Sequence, residues 1–162
     1  MPSSFARRTA RKPHRVIDAC ILIASLAERD ESCARYLSGL GYQHHGHITH
    51  PLIGEVVNGS CRHVRDLFLR RKVFEYLEEM LVRNRISVLP YKTIRSEHLS
   101  NLRRALPHLT EDDSLHLAEL ELHGLAEFVT VDEELTRNRE RLAQLGIRIV
   151  NPRGTTPEHP QG

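Results

Sequence analysis

Tryptophan is absent, and aromatic residues make up only 5% of this 162-residue chain. Single-stranded nucleic acid is read base by base on stacked aromatic faces, so a stacking platform that reads sequence is disfavoured from the outset. Cysteine is scarce and odd in number: Cys20, Cys33 and Cys61 share no repeated pair spacing. That disfavours a disulfide framework or a zinc knuckle and predicts buried, reduced thiols. No apolar run approaches the roughly 20 residues of a membrane span, and the N-terminus lacks the apolar block of a secretory signal. A cytoplasmic protein that does not enter membranes is expected. Acid, finally, is missing from the stretch before Asp18, which carries Arg7, Arg8, Arg11, Lys12 and Arg15.

That last absence divides the chain. Taking those five from 23 basic residues leaves 18 against 21 acidic ones, so the net charge of +2 hides an acidic body behind a basic arm. Residues 1–14 are expected to be disordered, an arm that either holds phosphates loosely or is simply solvated. The C-terminal NPRGTTPEHPQG, rich in Pro and Gly, makes 152–162 a flexible tail. Residues 15–151 form one domain, since a chain of this length with 40% hydrophobic residues can bury a core.

Within that domain, strand and helix patterns alternate. RVIDA is short and β-branched; ILIASLA and CARYLSGL then carry apolar residues at helical spacing. HGHIT, SVL, EFVTV and IRIV read as four more strands. Helices are predicted over PLIGEVVNGSCRHV and over LFLRRKVFEYLEEMLVRN, the latter with Leu67, Phe74, Leu77 and Leu81 on one face. IRSEHLSNLRRAL forms another, ended by Pro107. DSLHLAELELHG is apolar on more than one side and therefore central, and EELTRNRERLAQLG is one amphipathic helix stopped at Gly146. Strands separated by helices imply a parallel sheet with helices on both faces: an α/β protein in three α/β/α layers around five strands.

Ligands of such folds sit beyond the carboxyl ends of the strands. Asp18 closes the first strand and Asp132 the fourth; Glu55 lies on the first turn or two of the helix after the second strand, and Asp113 begins the central helix just before the fourth. Four carboxylates gathered there would raise one another's pKa values and pay for burial, a penalty that a dication removes. Mg²⁺ or Mn²⁺ takes such hard oxygen ligands. Plainer readings stand beside this one. Asp113 completes a capping-box pattern with Thr110, Asp132 is an ordinary N-cap, and Glu55 fits a solvated helix face. Asp18 is the hardest to explain away, because VIDACILIA gives it no polar company.

These residues resemble a PIN-domain nuclease, specifically the toxin of VapC-type toxin–antitoxin pairs. VIDACILIA, PLIGEVVNG, DDSLHLAEL and FVTVDEEL carry the likeness, in the family's order, over about residues 15 to 151. The resemblance implies a Mg²⁺- or Mn²⁺-dependent endoribonuclease acting on RNA, a homodimer, and a cognate antitoxin that masks the acidic rim. It also implies that Asp18, Glu55, Asp113 and Asp132 are metal ligands and catalytic residues, with Thr130 holding a water or orienting Asp132. One departure matters. Where the family usually has Ser, Thr or Asn two residues after the first Asp, this chain has Cys20, a poorer hydrogen-bond partner. A PIN-like module that binds RNA or protein without cutting is the alternative.

Phosphate grip would come from the arm, Arg62, Arg65, Arg70, Arg71, Lys72, Arg137 or Arg139, with a solvated helix face as the plainer role for the run 70–72. The histidines suggest a rival zinc site. HHGHITH offers His44, His45, His47 and His50; strand alternation places His45 and His47 on one side, but His50 falls beyond the strand and no catalytic partner has a known zinc spacing. His116 reads as a core or interface histidine.

Overall fold

A computed structural model describes residues 11–154. Most of the basic arm, including Arg7 and Arg8, and the tail from 155 lie outside them. The described chain runs β1 (His14–Ile17), α1 (Ala19–Leu26), α2 (Glu31–Ser38), β2 (His45–Ile48), α3 (His50–His63), α4 (Leu67–Val82) and β3 (Ile86–Val88). It continues through α5 (Ser96–Ala105), α6 (Glu111–Leu122), β4 (Glu127–Val129), α7 (Glu133–Arg137), α8 (Arg139–Gln144) and β5 (Arg148–Val150). All pairings are parallel, in the order β3-β2-β1-β4-β5.

This order fixes the layers. The chain steps outward from β1 to β2 to β3, then crosses back to the far side of β1 for β4 and β5. Right-handed crossovers put the helices of the outward steps on one face and those of the return on the other. The reversal falls between β1 and β4, where a crevice opens at the carboxyl ends of the strands.

Alternation sorts the strand residues. Ile17, Ile48 and Val129 point to one face, with Gly46 and Ile86 in register; Val16 and Phe128 point to the other. Gly46 is required: a Cβ there would lie 2.7 Å from Ile17 Cδ1 and 3.0 Å from Leu40 Cδ2. Gly124 and Gly146 close helices α6 and α8 at φ values of +67° and +84°, which glycine adopts without penalty.

Three sequence expectations are corrected. Of the thiols expected to be buried, Cys33 is, Cys20 is half-buried and Cys61 is exposed on α3. On α4 the buried stripe is Val73, Leu77 and Met80, at i, i+4, i+7; of the expected face Leu77 is buried and Leu81 packs partly against the core, but Leu67 is 72% exposed. The last helix is two helices. Asn138 breaks it by donating Nδ2 to the Glu134 carbonyl at 2.9 Å, a local bond that competes with the helical ladder. Leu135 and Leu142 are still buried, one from each piece. The central helix is as expected: α6 buries Leu117, Ala118 and Leu120 and also Ser114, His116 and Glu119.

Candidate active site

Asp18 stands at the crevice. Its N–H donates to the Val129 carbonyl at 2.9 Å, carrying the β1–β4 pairing one residue past the strand. It occupies the N-cap of α1, yet its carboxylate makes no capping bond, so the ordinary role of an acid at a helix start is unused. The side chain is only 8% exposed. Burial pushes its pKa up, Glu55's charge adds to that, and a hydrogen bond from Thr130 and the nearby His116 oppose it.

Thr130 joins two of the acids. Its Oγ1 donates to Asp18 Oδ2 at 2.7 Å and accepts the Asp132 N–H at 3.0 Å. A hydroxyl has one proton and two lone pairs, so the remaining neighbour, Cys20 Sγ at 3.5 Å, must be a donor. Burial, with the charge of Asp18, pushes the Cys20 thiol up and keeps its proton on. Cys20 therefore completes the hydrogen bonding of Thr130. Asp132 also caps α7, accepting the Leu135 N–H at 3.0 Å, so capping and a site role coexist in it.

Glu55 and Asp113 approach from the helices. Thr49 caps α3 and sets Glu55 in its second turn; Thr110 caps α6 through the Asp113 N–H at 3.1 Å. Asp113 is pushed up to about 6 by burial first, with the charges of Asp132 and Asp18 adding to it. Glu55 accepts a 2.6 Å bond from Nε2 of His116, a residue only 3% exposed. Burial alone would lower His116, but the bond to Glu55 and the charges of Glu55, Asp18 and Asp113 raise it. His116 is thus part of the acidic site and not a mere core residue. The signal in the sequence was its position three residues after Asp113, one helical turn along the same face.

The acids act on one another through charge, Glu55 on Asp18 and both Asp132 and Asp18 on Asp113, but no three of them come within ligand range of one another among the described residues. Among the described residues, the group of three metal-capable side chains whose ligand atoms lie within 4.8 Å of one another is His14, His45 and His47, at the opposite rim. The acidic donor set nonetheless fits a hard dication: it is all oxygen, Asp18 is buried, and Asp18 and Asp113 are raised partly by other acids.

Several basic candidates are engaged elsewhere. Arg70 donates to the carbonyls of Val64 and Cys61 at the end of α3, Arg71 pairs with Glu75 at 2.6 Å, and Arg137 pairs with Glu134 at 3.0 Å. Lys72 lies over the Phe68 ring. Arg62 and Arg65 are exposed on and just after α3.

Fold and site together define the class. The PIN domain profile matches residues 15–141, and the chain belongs to that family. Three solved structures share the fold. They are FitAcB from Neisseria gonorrhoeae (TM-score 0.63, 14% identity, covering 87% of this chain and 99% of that one); VapBC2 from Rickettsia felis bound to a DNA fragment from its promoter (0.60, 13%, 85% and 98%); and a toxin–antitoxin complex from Klebsiella pneumoniae (0.58, 19%, 85% and 97%). No curated protein matches the chain. No described helix is long and apolar enough to cross a membrane.

Proposed function

We propose that the chain is a metal-dependent endoribonuclease, the toxin of a toxin–antitoxin pair, working in the cytoplasm. The observation that carries this reading is the bond from Thr130 to buried Asp18, because the same hydroxyl fixes Asp132 across the crevice. Asp18, Glu55, Asp113 and Asp132 would hold Mg²⁺ or Mn²⁺. When bound, the cation supplies Lewis acidity for in-line attack of water on a phosphodiester and neutralises charge on the phosphate oxygens.

The remaining work belongs to the chain. Thr130 fixes the Asp18 carboxylate from one side and the Asp132 backbone from the other, with Cys20 completing its bonding. His116 orients Glu55 and, held above its ordinary pKa, offsets part of the acidic charge before RNA arrives. Asp113 must lose a proton near pH 6 to take part. The Klebsiella pneumoniae structure that shares this fold is a toxin–antitoxin complex, which supports an antitoxin partner here; clustered carboxylates suit an arginine-bearing segment of it. A homodimer belongs to the same reading.

The looseness of the acids favours a second reading, a PIN-like module that binds RNA or protein without cutting. Incubating a mixed RNA pool with the parent and Asp18→Asn in Mg²⁺ separates the two. Cleavage by the parent and none by the variant supports the nuclease; equal cleavage by both sinks the assignment of Asp18. Binding that persists in EDTA, with no cleavage in Mg²⁺, supports the module.

A further inference from the structure

The rim opposite the acids carries a second cluster. His14 pairs with His45 across β1 and β2, and Val16 with His47, so the three imidazoles share one face of the sheet at the amino ends of the strands. His14 opens β1, four residues before Asp18, and His47 is in register with Val16, two residues before it; at about 3.3 Å per residue the histidines lie ~7–13 Å from Asp18 along the strand. The rings touch one another. His14 and His47 have centroids 5.1 Å apart, His45 and His47 5.0 Å, and His14 Nδ1 lies 2.8 Å from His47 Nε2. Ser87, from β3, fixes His45 through Nε2 at 2.8 Å.

Three features make this more than a chance of composition. First, one ligand nitrogen from each ring lies within 4.8 Å of the others, close to what a single ion needs at Zn–N distances of about 2.0–2.1 Å. Second, His47 Nδ1 is buried with no hydrogen-bond partner among the described residues, and so is Nε2 of His123. Third, His14, His47 and His123 line one surface cavity below the end of α6, which gives an ion and its water a way in. No carboxylate belongs to the group, so its chemistry is that of neutral imidazole. Such a set prefers Zn²⁺, Ni²⁺ or Cu²⁺ over Mg²⁺ or Mn²⁺.

We propose that His14, His45 and His47 form a second metal site, for a borderline dication of the Zn²⁺ class, that clamps the start of β1 to β2. The site is separate from the acidic crevice in position, donor type and metal preference. Its effect is on folding: an ion held only by the native chain stabilises it by mass action and fixes the point where the basic arm enters the sheet.

The test uses the full chain, stripped with EDTA and titrated with Zn²⁺ in competition with a chromophoric chelator. The parent is expected to take up one tight equivalent and to gain about 5–10 °C in Tm at a hundredfold excess over Kd. Asp18→Asn should keep that equivalent. His14→Ala, at an exposed position that does not endanger folding, should bind at least about tenfold more weakly, and His47→Ala should do the same if it folds. Cobalt substitution adds a readout, since visible bands of a nitrogen-ligated ion should appear in the parent and fade in His14→Ala. Zinc binding by His14→Ala equal to the parent's, or a zinc equivalent that vanishes in Asp18→Asn, overturns the proposal.

Discussion

The two rims of the sheet differ in almost every chemical respect. At the carboxyl ends, burial raises the pKa values of Asp18 and Asp113, and three of the acids have their own donors: Thr130 for Asp18, His116 for Glu55, the start of α7 for Asp132. Toward the amino ends, imidazoles meet at tilted and edge-on angles, with burial first and the neighbouring His45, His14 and His123 driving His47 down to about 4. One rim stores negative charge; the other avoids positive charge. The contrast teaches that a single parallel sheet can present an all-oxygen and an all-nitrogen donor set without mixing them, because strand direction separates the ends and alternation selects the face.

The largest expected effects test the acidic rim. Asp18→Asn or Asp132→Ala should reduce RNA cleavage in Mg²⁺ by at least about 100-fold, measured as an initial rate, since each would remove a proposed direct ligand. Asp18→Asn should also raise Tm in the absence of metal, because it deletes a carboxylate whose burial disfavours its charged form. A variant that loses activity and stability together would mean that Asp18 is structural.

Thr130→Val comes next. It keeps the shape but strands Asp18 and the Asp132 N–H, which should lower stability by about 1–3 kcal/mol in a urea titration. Cleavage should fall by about 10- to 100-fold. Thr130→Ser should restore most of both.

A third expectation concerns pH. Asp18 and Asp113 have raised pKa values, so between the ordinary carboxylate range and about 6 the native state binds more protons than the unfolded one. Metal-free stability contributed by these groups is therefore greatest at low pH and is lost as pH rises through that window. Added Mn²⁺ should reverse the loss, raising Tm by a few degrees more at about pH 7.5 than at about pH 5. The smallest effect should be that of Cys20→Ser. A hydroxyl can make the same donation to Thr130, so stability should change by less than about 1 kcal/mol and cleavage by less than about threefold.

Much of this was legible in the sequence because it rests on local pattern. The order of strands and helices followed from periodicity, and Asp18 and Asp132 were placed on one rim by the rule that strand ends in such folds point the same way. Asp18 in VIDACILIA was conspicuous because nothing beside it explains a buried charge. What was hidden depends on contacts between distant residues. His116 finds Glu55 across 61 positions, and His14 joins His45 and His47 only when β1 lies against β2, so HHGHITH taken alone shows two ligands and not three. Asn138 broke a helix through its side chain, an effect that apolar spacing does not encode.

The most direct measurement is a calorimetric titration with Mn²⁺ of three full-length proteins at about pH 7.5: the parent, Asp18→Asn and His14→Ala. Manganese is expected to bind the parent and His14→Ala alike and to lose its site in Asp18→Asn. Binding that survives in Asp18→Asn but fails in His14→Ala, or no binding to the parent at all, would contradict the assignment of the acidic crevice as the metal-dependent centre.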